Sequence, residues 1–157
     1  MNNAQSGRAA RAQQMEQTIR GYITACNAGD VDAVAATCTP DAVHYFPVHM
    51  YGDDEPVRGG RAIGEKWARS VQSLGSRWSI DGQVLCDPDR DQAAIEFTAE
   101  RKNSGTIIRG SELYRFDPGT GLIAEIRGYL ASPPAPGFQR LELGGFPYAE
   151  RGYAAST

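Results

Sequence analysis

A chain of 157 residues and 17.0 kDa is long enough to bury one hydrophobic core and too short for two independent ones of ordinary size. Charged residues make up 22% and the net charge is only -3, so there is no basic surplus to neutralise a phosphate backbone, and nucleic acid is not expected as a partner. No apolar run approaches the roughly 20 residues of a membrane span, and the opening MNNAQSGRAARAQQ lacks a signal peptide's apolar centre; the expected location is the cytoplasm, with no membrane partner.

Residues 1–14 are polar and small and are expected to be disordered. Met15, Ile19, Tyr22, Ile23 and Cys26 then recur at helical spacing and mark one apolar face. Gly29 can end this helix in a left-handed conformation, and Asp30 can cap the next, whose inner face is Val31, Val34, Ala35 and Cys38. Asp41 to Pro47 reads as a short strand, with His44 and Phe46 on one face and Val43 and Tyr45 on the other. The stretch from Val48 to Gly60, with Asp53, Asp54 and Glu55 among its glycines and prolines, suits a surface loop. A third helix follows, turning Ile63, Trp67, Val71 and Leu74 inward.

From Arg77 onward the pattern changes to alternation. It predicts strands over 77–86, 93–101, 106–116 and 122–130, and the short turns at Asp87-Pro88, Asn103-Ser104-Gly105 and Asp117-Pro118-Gly119 make them antiparallel neighbours. Helices first and strands afterwards is the order of an α+β fold, in which helices cover one face of a sheet. The domain proper is thus expected over 15–131. Beyond it, a proline-rich linker leads into a tail with Phe138, Leu141, Leu143, Phe146, Tyr148 and Tyr153. That extension, 132–157, is too apolar to float free and should pack on its own subunit or a neighbour.

Polar residues on apolar faces are the candidates for chemistry. In the strand 106–116 the even positions are the more apolar set, yet they include Glu112; in the strand 122–130 the even set Leu122, Ala124, Ile126, Gly128 and Leu130 has no ionisable group. A carboxyl in such surroundings must find a partner or keep its proton through a raised pKa, which is useful to an acid or base catalyst. Pairing with an arginine or capping a buried amide is the competing structural role. Gly110 and Gly128, on the same interior, either allow strong curvature or leave room for a ligand. His44 can take a proton near neutral pH if its face turns inward, and a hydrogen-bonded core histidine is the alternative. His49 has no compact ligand set around it, and Cys26, Cys38 and Cys86 are odd in number with no C-x-x-C pair. No metal and no disulfide framework are therefore expected, and the cysteines read as buried free thiols. Asp41, Asp87, Asp117 and the acidic run at 53–55 are explained as turn and loop residues.

Several short segments, in order, carry a resemblance: Tyr22-x-x-x-x-Asn27-x-Gly29-Asp30, Pro40-Asp41-Ala42-Val43, Val57-Arg58-Gly59-Gly60-Arg61-Ala62-Ile63, Tyr114-Arg115-Phe116-Asp117 and Gly121-Leu122-Ile123. Together they resemble the superfamily of nuclear transport factor two, ketosteroid isomerase and the SnoaL-like polyketide cyclases, over about Met15 to Leu130. The resemblance implies a cone: three N-terminal helices over a strongly curved mixed or antiparallel sheet, a cystatin-like α+β barrel. It also implies that Tyr22 matches the tyrosine that donates to a developing enolate oxygen, and that Glu112 falls where a second, protonated carboxylic acid stands.

The pattern departs at Phe46, which takes the place of the proton-shuttling aspartate. Two further departures are Gly128, for the acid that cyclases and limonene epoxide hydrolases carry, and Asn27, for the aspartate of the dyad in scytalone dehydratase-like members. His44, on the same strand face as Phe46, can supply a replacement base.

The expected function is a cofactor-independent acid–base enzyme, an isomerase, lyase/dehydratase or cyclase, acting on a hydrophobic oxygenated small molecule such as a terpenoid, polyketide or aromatic. Tyr22, His44 and Glu112 are its catalytic candidates, and Phe46, Trp67, Phe97, Tyr114, Ile126 and Leu130 would shape the pocket. The alternative is a non-catalytic small-molecule-binding or dimeric adaptor module of the same fold. In either case a homo-oligomer, most simply a dimer, is expected.

Overall fold

The computed structural model describes residues 3–47, 55–131, 143–147 and 150–151. Three helices come first, α1 (Asn3–Ala28), α2 (Val31–Thr37) and α3 (Gly60–Leu74). Six strands, β1 (Cys38–Tyr45), β2 (Val57–Arg58), β3 (Ser76–Asp87), β4 (Gln92–Arg101), β5 (Thr106–Phe116) and β6 (Ile123–Leu130), form one sheet in the order β2-β1-β6-β5-β4-β3. All neighbours are antiparallel except β1 and β6, which run parallel. The α+β expectation holds, with one correction: the sheet does not close into a barrel, and β2 and β3 remain its two edges.

The segment 1–14 needs a larger correction, since α1 is helical from Asn3. The residues there are mostly Ala, Gln and Arg, good helix formers even without an apolar face. Their long side chains reach the β3–β4 turn, where Arg8 meets Asp89 at 2.5 Å and Arg11 meets Asp91 at 2.6 Å.

Further along α1, Met15, Ile19, Tyr22 and Cys26 are buried at the spacing the sequence predicts. Asp30 caps α2 by accepting from the Ala33 amide at 3.0 Å. Gly64 lets α3 close on α2, since a Cβ there would stand 2.9 Å from the Val31 carbonyl oxygen. Asn27 pins α1 to the edge strand: its amide donates to the Trp78 carbonyl at 2.8 Å and its carbonyl accepts from the Trp78 amide at 2.7 Å.

Alternation in β4 places Ala93, Ile95, Phe97 and Ala99 inward, as the odd face predicts. β6 breaks its predicted parity. The register slips between Arg115 and Phe116, so Phe116 pairs with Ile123 while Arg115 pairs with Glu125. Ile123 is consequently buried and Leu122 and Ala124, expected inward, are half-buried, while Ile126 is buried as its parity predicts. Glu125 lands on the opposite face, 3% exposed, held by Arg151 at 2.5 Å with Arg127 at 3.5 Å.

Part of the C-terminal extension covers that face. Leu143 bridges to Pro47, Gly144 donates to the Phe46 carbonyl at 2.7 Å, and Phe146 packs edge-on against Tyr45. Among the described residues, then, the extension packs on its own chain.

Candidate active site

Three adjacent strands bring the site together. His44 on β1 is paired with Ile126 on β6, and Gly128, two residues along β6 on the same face, lies opposite Glu112 on β5. With no side chain on Gly128, the His44 and Glu112 side chains meet across it. His44 Nε2 lies 3.8 Å from Glu112 Oε1, beyond hydrogen-bond reach.

Both groups are buried. His44 is stacked on Phe46 with ring centroids 3.9 Å apart, and Trp67 leans on it at 5.5 Å. Neither imidazole nitrogen has a hydrogen-bond partner among the described residues. Burial holds the His44 pKa well below 6.5, and the Lys66 ammonium, which sits 4.0 Å above the Phe46 ring, lowers it further. The Glu112 carboxyl moves the other way. Burial raises its pKa from 4.5 to about 7, against the opposing effect of Tyr114, whose hydroxyl donates to Oε2. The usual order of the two groups is thereby inverted: the carboxyl holds its proton more tightly than the imidazole does.

These groups face a partly open cleft with about 410 Å³ of empty space, some of it continuous with solvent. The space left there has room for about one or two waters before any side chain moves. His44, Glu112 and Arg101 supply polarity, and Phe46, Trp67, Trp78, Phe97, Ile108 and Leu130 are the larger apolar members of the wall. Gly128 opens onto the cleft, where an added Cβ would make ordinary contacts at 3.7 Å with His44 Nε2 and 3.9 Å with Glu112 Cγ. Gly110 does not, because the Phe97 ring fills the space its side chain would need and the Tyr129 carbonyl oxygen would stand 2.2 Å from a Cβ.

Of the residues singled out in the sequence, His44, Glu112, Phe46, Trp67, Phe97 and Leu130 line the cleft. Tyr22, Tyr114 and Ile126 do not. Tyr22 is fully buried one layer deeper, where its hydroxyl accepts from the Trp67 indole at 2.7 Å and its ring meets that of Tyr114 edge-on at 6.1 Å. Its pKa is raised by burial first and by neighbouring acidic groups, Glu112 among them, second. Tyr114 takes part through the carboxyl it touches, and Ile126 is core.

Trp78, Ile108 and Arg101 were missed. All three lie on the inward parity of their strands, Arg101 at the last position of β4. No cluster of three or more His, Cys, Asp or Glu suited to a metal occurs among the described residues, and His49 lies outside them. No described helix is long and apolar enough to cross a membrane.

Comparison with known proteins agrees with the fold. A protein with a cystatin-like fold and unknown function from Methylobium petroleophilum PM1 is 44% identical, with 93% of this chain and 94% of that one covered and a TM-score of 0.85. An NTF2-like protein of unknown function from Mesorhizobium loti is 21% identical over 78% of this chain and 94% of its own, with a TM-score of 0.63. The epoxide hydrolase/cyclase-like enzyme SalBIII, described for pyran ring formation in the polyether salinomycin, is 22% identical over 76% of this chain and 92% of its own, with a TM-score of 0.61. These last two share the fold. The SnoaL-like domain model matches residues 19–126, which hold both His44 and Glu112, and the chain belongs to the SnoaL-like domain family.

Proposed function

We propose that the cleft is an acid–base site that moves a proton on a hydrophobic, oxygenated small molecule, as an isomerase, lyase or cyclase does, with Glu112 as acid and His44 as base. The observation that carries this reading is the inverted pair: a carboxyl with a pKa of about 7 facing an imidazole kept neutral, 3.8 Å apart, in an apolar wall. Below pH 7, where Glu112 keeps its proton, the pair offers a proton and a lone pair to one ligand without itself carrying charge, so an uncharged substrate enters without having to displace a counter-ion. Phe46, Trp67 and Trp78 supply flat apolar surface for the body of such a molecule. Tyr22 positions Trp67 in this scheme and does not touch the substrate.

The second reading, a binding module without turnover, is favoured by one observation: Tyr22 lies behind the cleft wall rather than in it, so its hydroxyl is not placed to stabilise an oxyanion there. Solvent deuterium exchange separates the two. A panel of cyclic ketones and β-hydroxy ketones incubated with the protein in D2O should include members whose α-hydrogens exchange faster than in buffer, and both His44→Ala and Glu112→Gln should abolish the acceleration. Binding of panel members without exchange would support the module. Loss confined to Glu112→Gln, with His44→Ala unaffected, would remove His44 as the base. Self-association through the outer sheet face is part of the same proposal, with sedimentation as its test.

A further inference from the structure

The gap between His44 and Glu112 has dimensions that define what can sit in it. An oxygen about 2.7 Å from both His44 Nε2 and Glu112 Oε1, which are 3.8 Å apart, would subtend an angle of about 90° between them, a comfortable value for a group that uses one lone pair and its own proton. The floor of the gap is Gly128, whose missing side chain leaves the position open.

Hydrogen-bond polarity follows from the neighbours. Tyr114 donates to Glu112 Oε2, so the carboxyl proton is left to Oε1, the oxygen that faces His44. Among the described residues neither His44 nitrogen has a hydrogen-bond partner, and the side chain is wholly buried. A neutral imidazole there can accept a hydrogen bond at Nε2.

We propose that the space bounded by His44 Nε2, Glu112 Oε1 and Gly128 is a subsite for a single neutral hydroxyl group of the substrate, which donates to His44 and accepts from Glu112. This rests on the acid–base reading above and narrows it. The substrate is an alcohol, phenol or enol with an apolar body, and a ketone, ether or carboxylate presenting its oxygen at this point is a poorer ligand. A ketone, an ether or a carboxylate has no hydrogen to donate and leaves the lone pair of the buried imidazole without a partner.

Phenol, anisole and toluene serve as probes, with dissociation constants measured by NMR titration at pH 6, where Glu112 retains its proton. Wild-type protein should bind phenol at least about tenfold more tightly than anisole or toluene, because only phenol fills both hydrogen-bonding roles. In Gly128→Ala the methyl group occupies the subsite at contacts of 3.7 and 3.9 Å. Phenol should then lose its advantage while toluene keeps its affinity. Glu112→Leu, which removes the donor, should have the same effect.

Equal binding of the three probes to the wild type would overturn the assignment and show that water, not a substrate hydroxyl, takes the position. Survival of the phenol preference in both variants would overturn it as well. If none of the three binds, the small-molecule reading of the cleft fails together with this one, whereas binding without discrimination defeats the hydroxyl subsite alone.

Discussion

The titration of Glu112 should be visible in stability before any substrate is known. Its pKa rises from 4.5 to about 7 on folding, so the native state holds the proton more tightly than the unfolded chain, by about 3 kcal/mol at about 1.4 kcal/mol per decade. The sign follows directly. Below pH 4.5 both states are protonated, and this contribution is fully present. Between about 4.5 and 7 the unfolded chain releases its proton while the native state keeps it, so stability falls as pH rises; above the folded pKa the loss is complete and the curve levels.

Glu112→Gln keeps the shape and removes the titration. Urea unfolding at intervals from pH 4.5 to 8.5 should therefore show the stability of wild type relative to the variant dropping by about 3 kcal/mol across that window, with the slope concentrated below pH 7. Parallel curves for the two proteins would mean that Glu112 titrates as an ordinary solvated carboxyl, and the raised acidity on which the proposed chemistry depends would be gone.

His44 should act with the opposite sign in an overlapping range: its folded pKa is depressed, so native stability should be lost as pH falls below 6.5, and His44→Phe should flatten that acid limb in the same urea series. Gly110 and Gly128 should part company. Gly110→Ala forces a Cβ to 2.2 Å from the Tyr129 carbonyl oxygen and should cost about 3 kcal/mol or more in thermal or urea unfolding, while Gly128→Ala should stay within about 1 kcal/mol of wild type. Asn27→Asp deletes the donor to the Trp78 carbonyl and sets an acceptor in its place; a loss of about 1–3 kcal/mol, with faster amide exchange at Trp78, is expected.

Local periodicity made most of the elements legible. The faces of α1 and α3, the inward parity of β4 and the position of Glu112 all follow from repeats of 3.6 or 2 that survive in the structure, because each of those segments has one face to bury. The relation that matters most was not local. His44 and Glu112 are 68 residues apart in sequence and meet only because β1 joins β6 in parallel while β6 joins β5 in antiparallel fashion, a choice no turn encodes.

Parity failed at Leu122 and Ala124 because one slipped register moved the inward positions, whereas Glu125 keeps its outward parity and is buried beneath Arg127 and Arg151. The start of α1 was missed since its support is ionic pairing with a distant turn rather than an apolar stripe. Tyr22 lay on the correct helix face, yet a face does not say which layer the hydroxyl reaches, and the Trp67 indole claims it. Trp78, Ile108 and Arg101 could all have been nominated from their strand parity, Arg101 continuing the inward series 93, 95, 97 and 99 of β4.

The short stretch from Leu143 to Phe146 has a practical consequence. It ladders with Pro47 on one side, and Gly145 lies so close to Pro56 on the other that a Cβ would come within 2.6 Å of the proline ring. The chain therefore ties together the two prolines that flank residues 48–54, and Pro47 is itself part of the cleft wall. Trimming the protein at the apparent domain boundary, or fusing a tag that drags on this stretch, would loosen the doorposts of the chamber while leaving its chemistry written in the sequence. An inactive truncated protein would then report a broken entrance rather than a misassigned residue.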